Sequence, residues 1–294
     1  MKIHFYGQCK KKSYFEGWYF KQENQEQTLA VIPAFHVDRD GKKCATIQVI
    51  TEQGSWMLEF PAEAFQACRK RLGVRIGDNL FTEKGLHLNL HGNGIDLEGA
   101  FRFGPFTPTE KEMMGPFFCI PWMQCSHQVL SLYHEIKGSV KLNGKRINFN
   151  GGRGYLEKDR GTSFPKEYMW TQCGFEDQGP GCIMGAVADV PFLGTSFRGC
   201  ISAVLYRGKQ YRFATYTGAK VVMNAGRSVV IRQGDWELRM MALEENPRIL
   251  QAPEDGKMGR AIQESAACPV RYELWKGEER MFRITVDKAG WERG

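Results

Sequence analysis

Apolar and polar residues alternate in short runs along most of this chain, the period of half-buried β-strands rather than of helices. Runs rich in aromatic and β-branched residues occupy 18–21, 29–35, 45–51, 56–60, 86–91, 95–103 and 129–136. They resume at 168–174, 183–190, 201–206, 211–216, 228–233, 236–242, 270–275 and 281–286. Glycine or polar breaks separate them. Asn143-Gly144 stands between 139–142 and 146–150, the pair that a type I′ hairpin turn favours. Helical signals are confined to 62–71, following Pro61, and to 258–267, following the loop 246–256.

The halves of the chain present their features in the same order. Ser13-Tyr-Phe-Glu-Gly-Trp-Tyr-Phe-Lys21 corresponds in position and texture to Ser163-Phe-Pro-Lys-Glu-Tyr-Met-Trp-Thr171. A strand then closes on Pro33-Ala34-Phe35 in one half and Val190-Pro191-Phe192 in the other, followed by the strand pairs 44–60 and 200–216. Each half finishes on a hairpin, 140–149 then 154–157, and 272–286 then 290–293. The expectation is an all-β protein with few short helices and an internal duplication, its halves being 1–157 and 158–294. Roughly eight antiparallel, hairpin-linked strands per half suit a small barrel around a side-chain-sized or ligand-sized cavity.

Composition narrows the classes. Apolar residues make up 42% and charged residues 25% of 294, the usual balance of a globular chain, and aromatics reach 12%. The formal charge of +7 could suggest an anionic partner, but residues 1–157 and 158–294 each carry 20 of the 40 Lys and Arg. No basic footprint for nucleic acid results. The local clusters Lys10–Lys12 and Arg69–Arg71 read as solvated faces, with weak contact to an anionic membrane surface as the alternative. Nine cysteines at irregular spacing form no C-x-x-C pair, which argues against a disulfide framework or a zinc ribbon and fits a reducing cytoplasm. The N-terminus lacks the apolar core of a signal peptide, and no run of 18 apolar residues exists. His87 and His91 fall on an alternating, strand-like run, where residues four apart are about 13 Å apart. His127 and His134, an odd interval apart, should face opposite ways. No metal and no cofactor are expected. Gly151-Gly152-Arg153-Gly154 precedes no helix and reads as a turn rather than a phosphate cradle.

What remains is carboxylates among rings. In extended chain Tyr155, Glu157 and Asp159 share a face, with Lys158 on the other; Tyr14, Glu16, Trp18 and Phe20 share a face, as do Tyr168, Trp170 and Gln172. Glu16 could bond a neighbouring backbone group or a lysine, and Glu157 could pair with Lys158 or Arg160. Alternatively, a carboxyl held in apolar surroundings stays protonated near neutrality and can deliver a proton where water is excluded.

These residues resemble the tocopherol cyclase family. Its opening motif, F-F-E-G-W-Y-F-K, stands here as Tyr14-Phe-Glu-Gly-Trp-Tyr-Phe-Lys21. Its central motif, E-K-N-W-G-x-x-F-P-x-x-(aromatic)-x-W-x-Q, stands as Glu157-Lys-Asp-Arg-Gly-Thr-Ser-Phe-Pro-Lys-Glu-Tyr-Met-Trp-Thr-Gln172. Asp159 replaces the usual Asn, and Arg160 the usual Trp. The resemblance implies a lipocalin-like fold of two barrel-like halves around an apolar cavity, shared with carotenoid 1,2-hydratases, whose related stretch carries an acid where Glu157 falls. It also implies proton-initiated cyclisation of a prenylated hydroquinone or similar isoprenoid, with no cofactor. On this reading Glu157 is the proton donor, Asp159 its partner or rival and Glu16 a second candidate. Trp18, Tyr19, Tyr155, Tyr168 and Trp170 offer rings to a cation, while Lys158 and Gln172 complete the substrate contacts. An isoprenoid hydratase and a non-catalytic carrier of an apolar ligand are the alternatives.

Overall fold

The computed structural model describes residues 4–120, 123–192 and 194–294. Strands dominate them, and helix is limited to single 3₁₀ turns, the longest being Gly115–Cys119. The first sheet contains β1 (Tyr14–Glu23), β2 (Thr28–Val37), β3 (Lys43–Thr51), β4 (Ser55–Pro61), β5 (Phe65–Ala67), β6 (Gly73–Ile76), β7 (Asn79–Thr82), β8 (Gly85–Gly92), β9 (Ile95–Phe103), β10 (Cys125–Leu142), β11 (Lys145–Asn148) and β12 (Gly152–Gly161). Its order is β4-β3-β2-β1-β12-β10-β9-β8-β7-β6-β5, with β11 beside β10. Strand β12 therefore lies in the middle, between β1 and β10.

The second sheet contains β13 (Tyr168–Glu176), β14 (Pro180–Phe192), β15 (Thr195–Tyr206), β16 (Lys209–Ala214), β17 (Lys220–Ala225), β18 (Ser228–Gln233), β19 (Trp236–Ala242), β20 (Arg248–Glu254), β21 (Lys257–Lys276) and β22 (Glu279–Arg293). Its order, β16-β15-β14-β13-β22-β21-β19-β18-β17 with β20 beside β21, repeats the plan of the first. In each, a four-strand meander runs to one edge and the last strand inserts beside the first. The ladders are antiparallel. Among the described residues neither sheet closes: β4 and β5 are edges of one, β16 and β17 of the other. The barrels expected from strand number are thus open sheets, because closure needs edge strands to pair and nothing in the local pattern encodes that.

Both helical expectations fail. After one 3₁₀ turn, Ala62–Ala64, residues 65–67 pair with β6, Phe65 opposite Ile76 and Ala67 opposite Val74. Residues 258–267 lie inside β21, where exposed Ala261 and Gln263 alternate with buried Ile262 and Glu264, the period of a strand. The Asn143-Gly144 turn joins Leu142 to its partner Lys145 with both residues at positive φ, 47° and 84°.

By its contacts the chain forms two compact units. One comprises the residues up to Pro108 together with Cys125–Phe164 and Leu250–Ala261; the other comprises Thr109–Gln124, Pro165–Ile249 and Ile262–Gly294. In the first, the Gln48 amide donates to the Gln251 carbonyl at 2.9 Å and accepts from the Gln251 N–H at 2.8 Å, holding the late segment to β3. The core of this unit gathers Trp18 and Phe20 of β1, Leu29 and Val31 of β2, Ile47 of β3 and Leu156 of β12. Burying each such large apolar side chain contributes about 1.5–3 kcal/mol. The second unit has its own core, including Met169, Val204, Leu238 and Trp291.

Candidate active site

Register across the middle of the first sheet decides which side chains meet. Directly paired residues of antiparallel strands lie on the same face. Glu16 is opposite Arg160, Trp18 opposite Lys158, Gly17 opposite Asp159 and Tyr19 opposite Glu157. The sheet therefore sends Glu16, Trp18 and Lys158 to its core face and Tyr19, Tyr155, Glu157 and Asp159 to the other. The three carboxylates singled out from sequence do not form one cluster: Glu16 is separated from Glu157 and Asp159 by the thickness of the sheet.

On the core face Glu16 is fully buried and fully engaged. It accepts the Tyr6 N–H on both oxygens, at 3.1 and 2.9 Å, and the Tyr14 hydroxyl at 2.6 Å. The Lys158 ammonium meets its other side at 2.5 Å. Lys158 also donates to the His4 carbonyl at 2.7 Å and lies 4.6 Å from the Tyr6 ring centre and 5.2 Å from that of Trp18. Burial pushes the Lys158 ammonium below its ordinary range, opposed by the Glu16 charge. Burial, then Glu16, holds the Tyr14 hydroxyl well above its own. The arrangement clamps the segment before β1 onto the sheet.

The same face carries His134, opposite Gly154. Its Nδ1 lies 3.0 Å from the Ser131 hydroxyl, and its ring packs 4.5 Å from Phe103 and 4.8 Å from Phe106. Burial lowers it to about 3, as it does the His36 of β2. A Cβ at residue 154 would approach His134 Nε2 to 2.2 Å, so glycine is needed there to admit the ring.

On the opposite face, Glu157 is 4% exposed and accepts the Tyr155 hydroxyl at 2.5 Å. Strand β10 adds a residue that sequence reasoning did not select for this site, His127, paired with Asp159. Its Nδ1 lies 2.9 Å from Asp159 Oδ1 and its Nε2 3.6 Å from Glu157 Oε2. The ring thus stands between the two acids. Cys125 approaches Asp159 at 3.9 Å, and burial, then Asp159, pushes its thiol well above the usual range. As the odd interval predicts, His127 and His134 occupy opposite faces, although two register shifts interrupt β10 between them.

Two groups among the described residues have metal-ligand chemistry. His127, Glu157 and Asp159 place ligand atoms within 4.8 Å of one another, as do the exposed His91, Asp96 and Glu98. In the first, the two acids face different ring nitrogens, and one imidazole gives an ion only one of them. That geometry favours hydrogen bonding through the ring over chelation. His87 and His91 lie on one strand, β8, as read from sequence.

In the second unit Tyr168, Trp170 and Gln172 share a face of β13. Trp170 is opposite Glu292 and Gln172 opposite Gly290. The Tyr168 hydroxyl donates to Glu292, and the Gln172 amide lies 3.6 Å from Cys182 Sγ. Buried Glu264 of β21 is directly opposite Glu292, a pairing of acids that only the long-range register of β21 and β22 reveals. No described helix is long and apolar enough to cross a membrane.

Comparison with known proteins adds to this geometry. A family model described as tocopherol cyclase-like matches residues 95–294, a span that contains β12 and the central motif but not the opening one. A rice protein (Oryza sativa subsp. japonica) named "Probable tocopherol cyclase, chloroplastic" is 27% identical over 128 residues, covering 40% of this chain and 26% of that one. The chain thus spans about a quarter of the length of this relative. Among solved structures, a protein provisionally assigned as AttH from Nitrosomonas europaea has a TM-score of 0.56 at 11% identity, covering 95% of this chain and 91% of its own. CghA, solved with Sch210972, has a TM-score of 0.53 at 12% identity, covering 95% and 87%. Both share the fold.

Proposed function

The chain belongs to the tocopherol cyclase-like family, and from that premise we propose that it cyclises a prenylated hydroquinone or similar isoprenoid phenol by protonating an alkene. Glu157 carries this reading. It is a buried carboxyl flanked by Tyr155 and Tyr19, on the central strand and inside the family-matched span.

In this reaction Glu157 delivers its proton to the isolated alkene, giving a tertiary cation. A phenolic oxygen of the same molecule closes the ring. Substrate and product are isomers, so atoms balance with no oxidant or reductant. The ring faces of Tyr19 and Tyr155 stabilise the transient charge by about 0.5–2 kcal/mol each. Excluding water prevents its addition to the cation. Glu16, Trp18 and Lys158, on the core face, hold the strand that presents Glu157. Tyr168, Trp170 and Gln172 repeat the character of rings beside a carboxyl, here Glu292, and are proposed ligand contacts in their own right. The shared strand order of the two sheets supports descent from a duplicated lipocalin-like unit, the first sheet ending at Gly161 and the second beginning at Tyr168. The nine cysteines form no disulfide with one another, which fits a cytoplasmic setting.

The test is turnover of a prenylated hydroquinone by the purified protein, with and without Glu157→Gln. A ring product that depends on Glu157 supports the assignment; full activity in the variant refutes it. An open-chain alcohol would make the protein a hydratase. Stoichiometric binding without turnover, unchanged when Glu157 and Asp159 are both substituted, would make it a carrier.

A further inference from the structure

We infer that His127 is a positioning residue of the proton donor: held in one tautomer by Asp159, it turns Nε2 towards Glu157 and takes part in returning its proton. The inference rests on the proposed reaction at Glu157. With the Asp159 carboxyl oxygen accepting, the 2.9 Å contact between His127 Nδ1 and Asp159 Oδ1 puts the proton of a neutral ring on Nδ1. That leaves Nε2 as the acceptor, directed at Glu157 Oε2 3.6 Å away. The Tyr155 hydroxyl donates to the same oxygen at 2.5 Å and fixes the carboxyl's orientation. A carboxylate, an imidazole and a proton-bearing group in line form an arrangement in which the first sets the basicity and tautomer of the second.

The array solves a problem that cyclisation poses for a buried acid. Once Glu157 has given its proton to the alkene carbon, it is an anion, and it must recover a proton before the next turnover. As the phenolic oxygen forms its new C–O bond, its O–H bond breaks and that proton returns to the Glu157–His127 pair. The alkene gains one proton and the phenol loses one, so the pair ends each cycle as it began. The Nε2 lone pair of His127 offers the returning proton a site beside Glu157. Asp159 keeps the imidazole from turning its protonated nitrogen towards the donor. Around the ring the structure places Cys125 on its own strand, Glu157, Asp159 and Tyr155 on β12, and Tyr19 on β1 opposite Glu157.

The test uses the full chain and a prenylated hydroquinone as substrate. His127→Gln and Asp159→Asn should each lower kcat by about 10²–10⁴-fold with KM changed less than about threefold, and the double variant should be no slower than the slower single one. His127→Ala should recover at least about tenfold in kcat when imidazole is added, a response that a merely structural role for the side chain would not give. Activity lost in Glu157→Gln but retained in His127→Gln and Asp159→Asn overturns this inference and leaves the reaction standing. So do a loss expressed in KM alone and the absence of imidazole rescue. No cyclisation by the unmodified protein overturns the reaction, and the inference with it.

Discussion

Lowering the pH from 7 to 5 should remove several kcal/mol of stability, through two histidines that take no part in the proposed reaction. His36 and His134 are buried, and each is held near 3 by loss of hydration, against 6.5 in an unfolded chain. The unfolded chain therefore takes up protons first as the pH falls. Their contribution is whole above about 6.5 and is lost progressively from there towards 3. At pH 5 the unfolded imidazole is favoured by the log of its protonation ratio, about 1.5 units, or about 2 kcal/mol for each residue. Carboxylates held low, Asp189 by Arg198 and, against the opposing effect of burial, Glu237 by Arg232 and Arg239 and Glu273 by Trp275 and Arg283, add little in this window, because unfolded acids take up few protons above pH 5. Urea unfolding at the two pH values reads the difference directly. The unmodified protein should lose about 4 kcal/mol between pH 7 and 5, and His36→Gln with His134→Gln should lose less than half as much, whatever the substitutions cost at pH 7. Equal stability of the unmodified protein at both pH values would refute the reasoning, as would an undiminished loss in the double variant.

The Glu16–Lys158 pair should behave as a buried clamp. Lys158→Met leaves a buried carboxylate without its cation and should cost about 3–5 kcal/mol in denaturant unfolding, and adding Glu16→Gln should restore at least about 1 kcal/mol. A harmless Lys158→Met would contradict this. Gly154→Ala should destabilise by about 1–3 kcal/mol, since its methyl would meet the His134 ring at 2.2 Å. Combining it with His134→Ser should cost less than the sum of the two single changes by more than about 0.5 kcal/mol in the same assay.

Much of the site was legible because a strand's period is fixed. The grouping of Tyr155 with Glu157 and Asp159, the opposite setting of Lys158, and the turn at Asn143-Gly144 follow from local alternation and turn chemistry alone. The like order of features in the two halves reappears as a like order of strands. What local pattern could not supply was pairing at long range. His127 joins Asp159 across 32 residues, through a strand with two register shifts, so no spacing rule connects them. Only the pairing of β1 with β12 separates Glu16 from Glu157, since both lie in similar stripes of rings. Residues 258–267 read as a helix because Ala261, Ala266 and Ala267 favour one. Pairing with β22 from Gln263 onward overrides that preference.

The central claim is that Glu157 protonates an alkene of a bound isoprenoid phenol. Its most direct test is turnover of a prenylated hydroquinone in D2O, followed by mass spectrometry and NMR of the product. Protonation by Glu157 should give a cyclised product carrying one deuterium on the carbon that was protonated, formed by the unmodified protein and abolished by Glu157→Gln. A ring product free of deuterium on that carbon, or one formed equally well by Glu157→Gln, would contradict it.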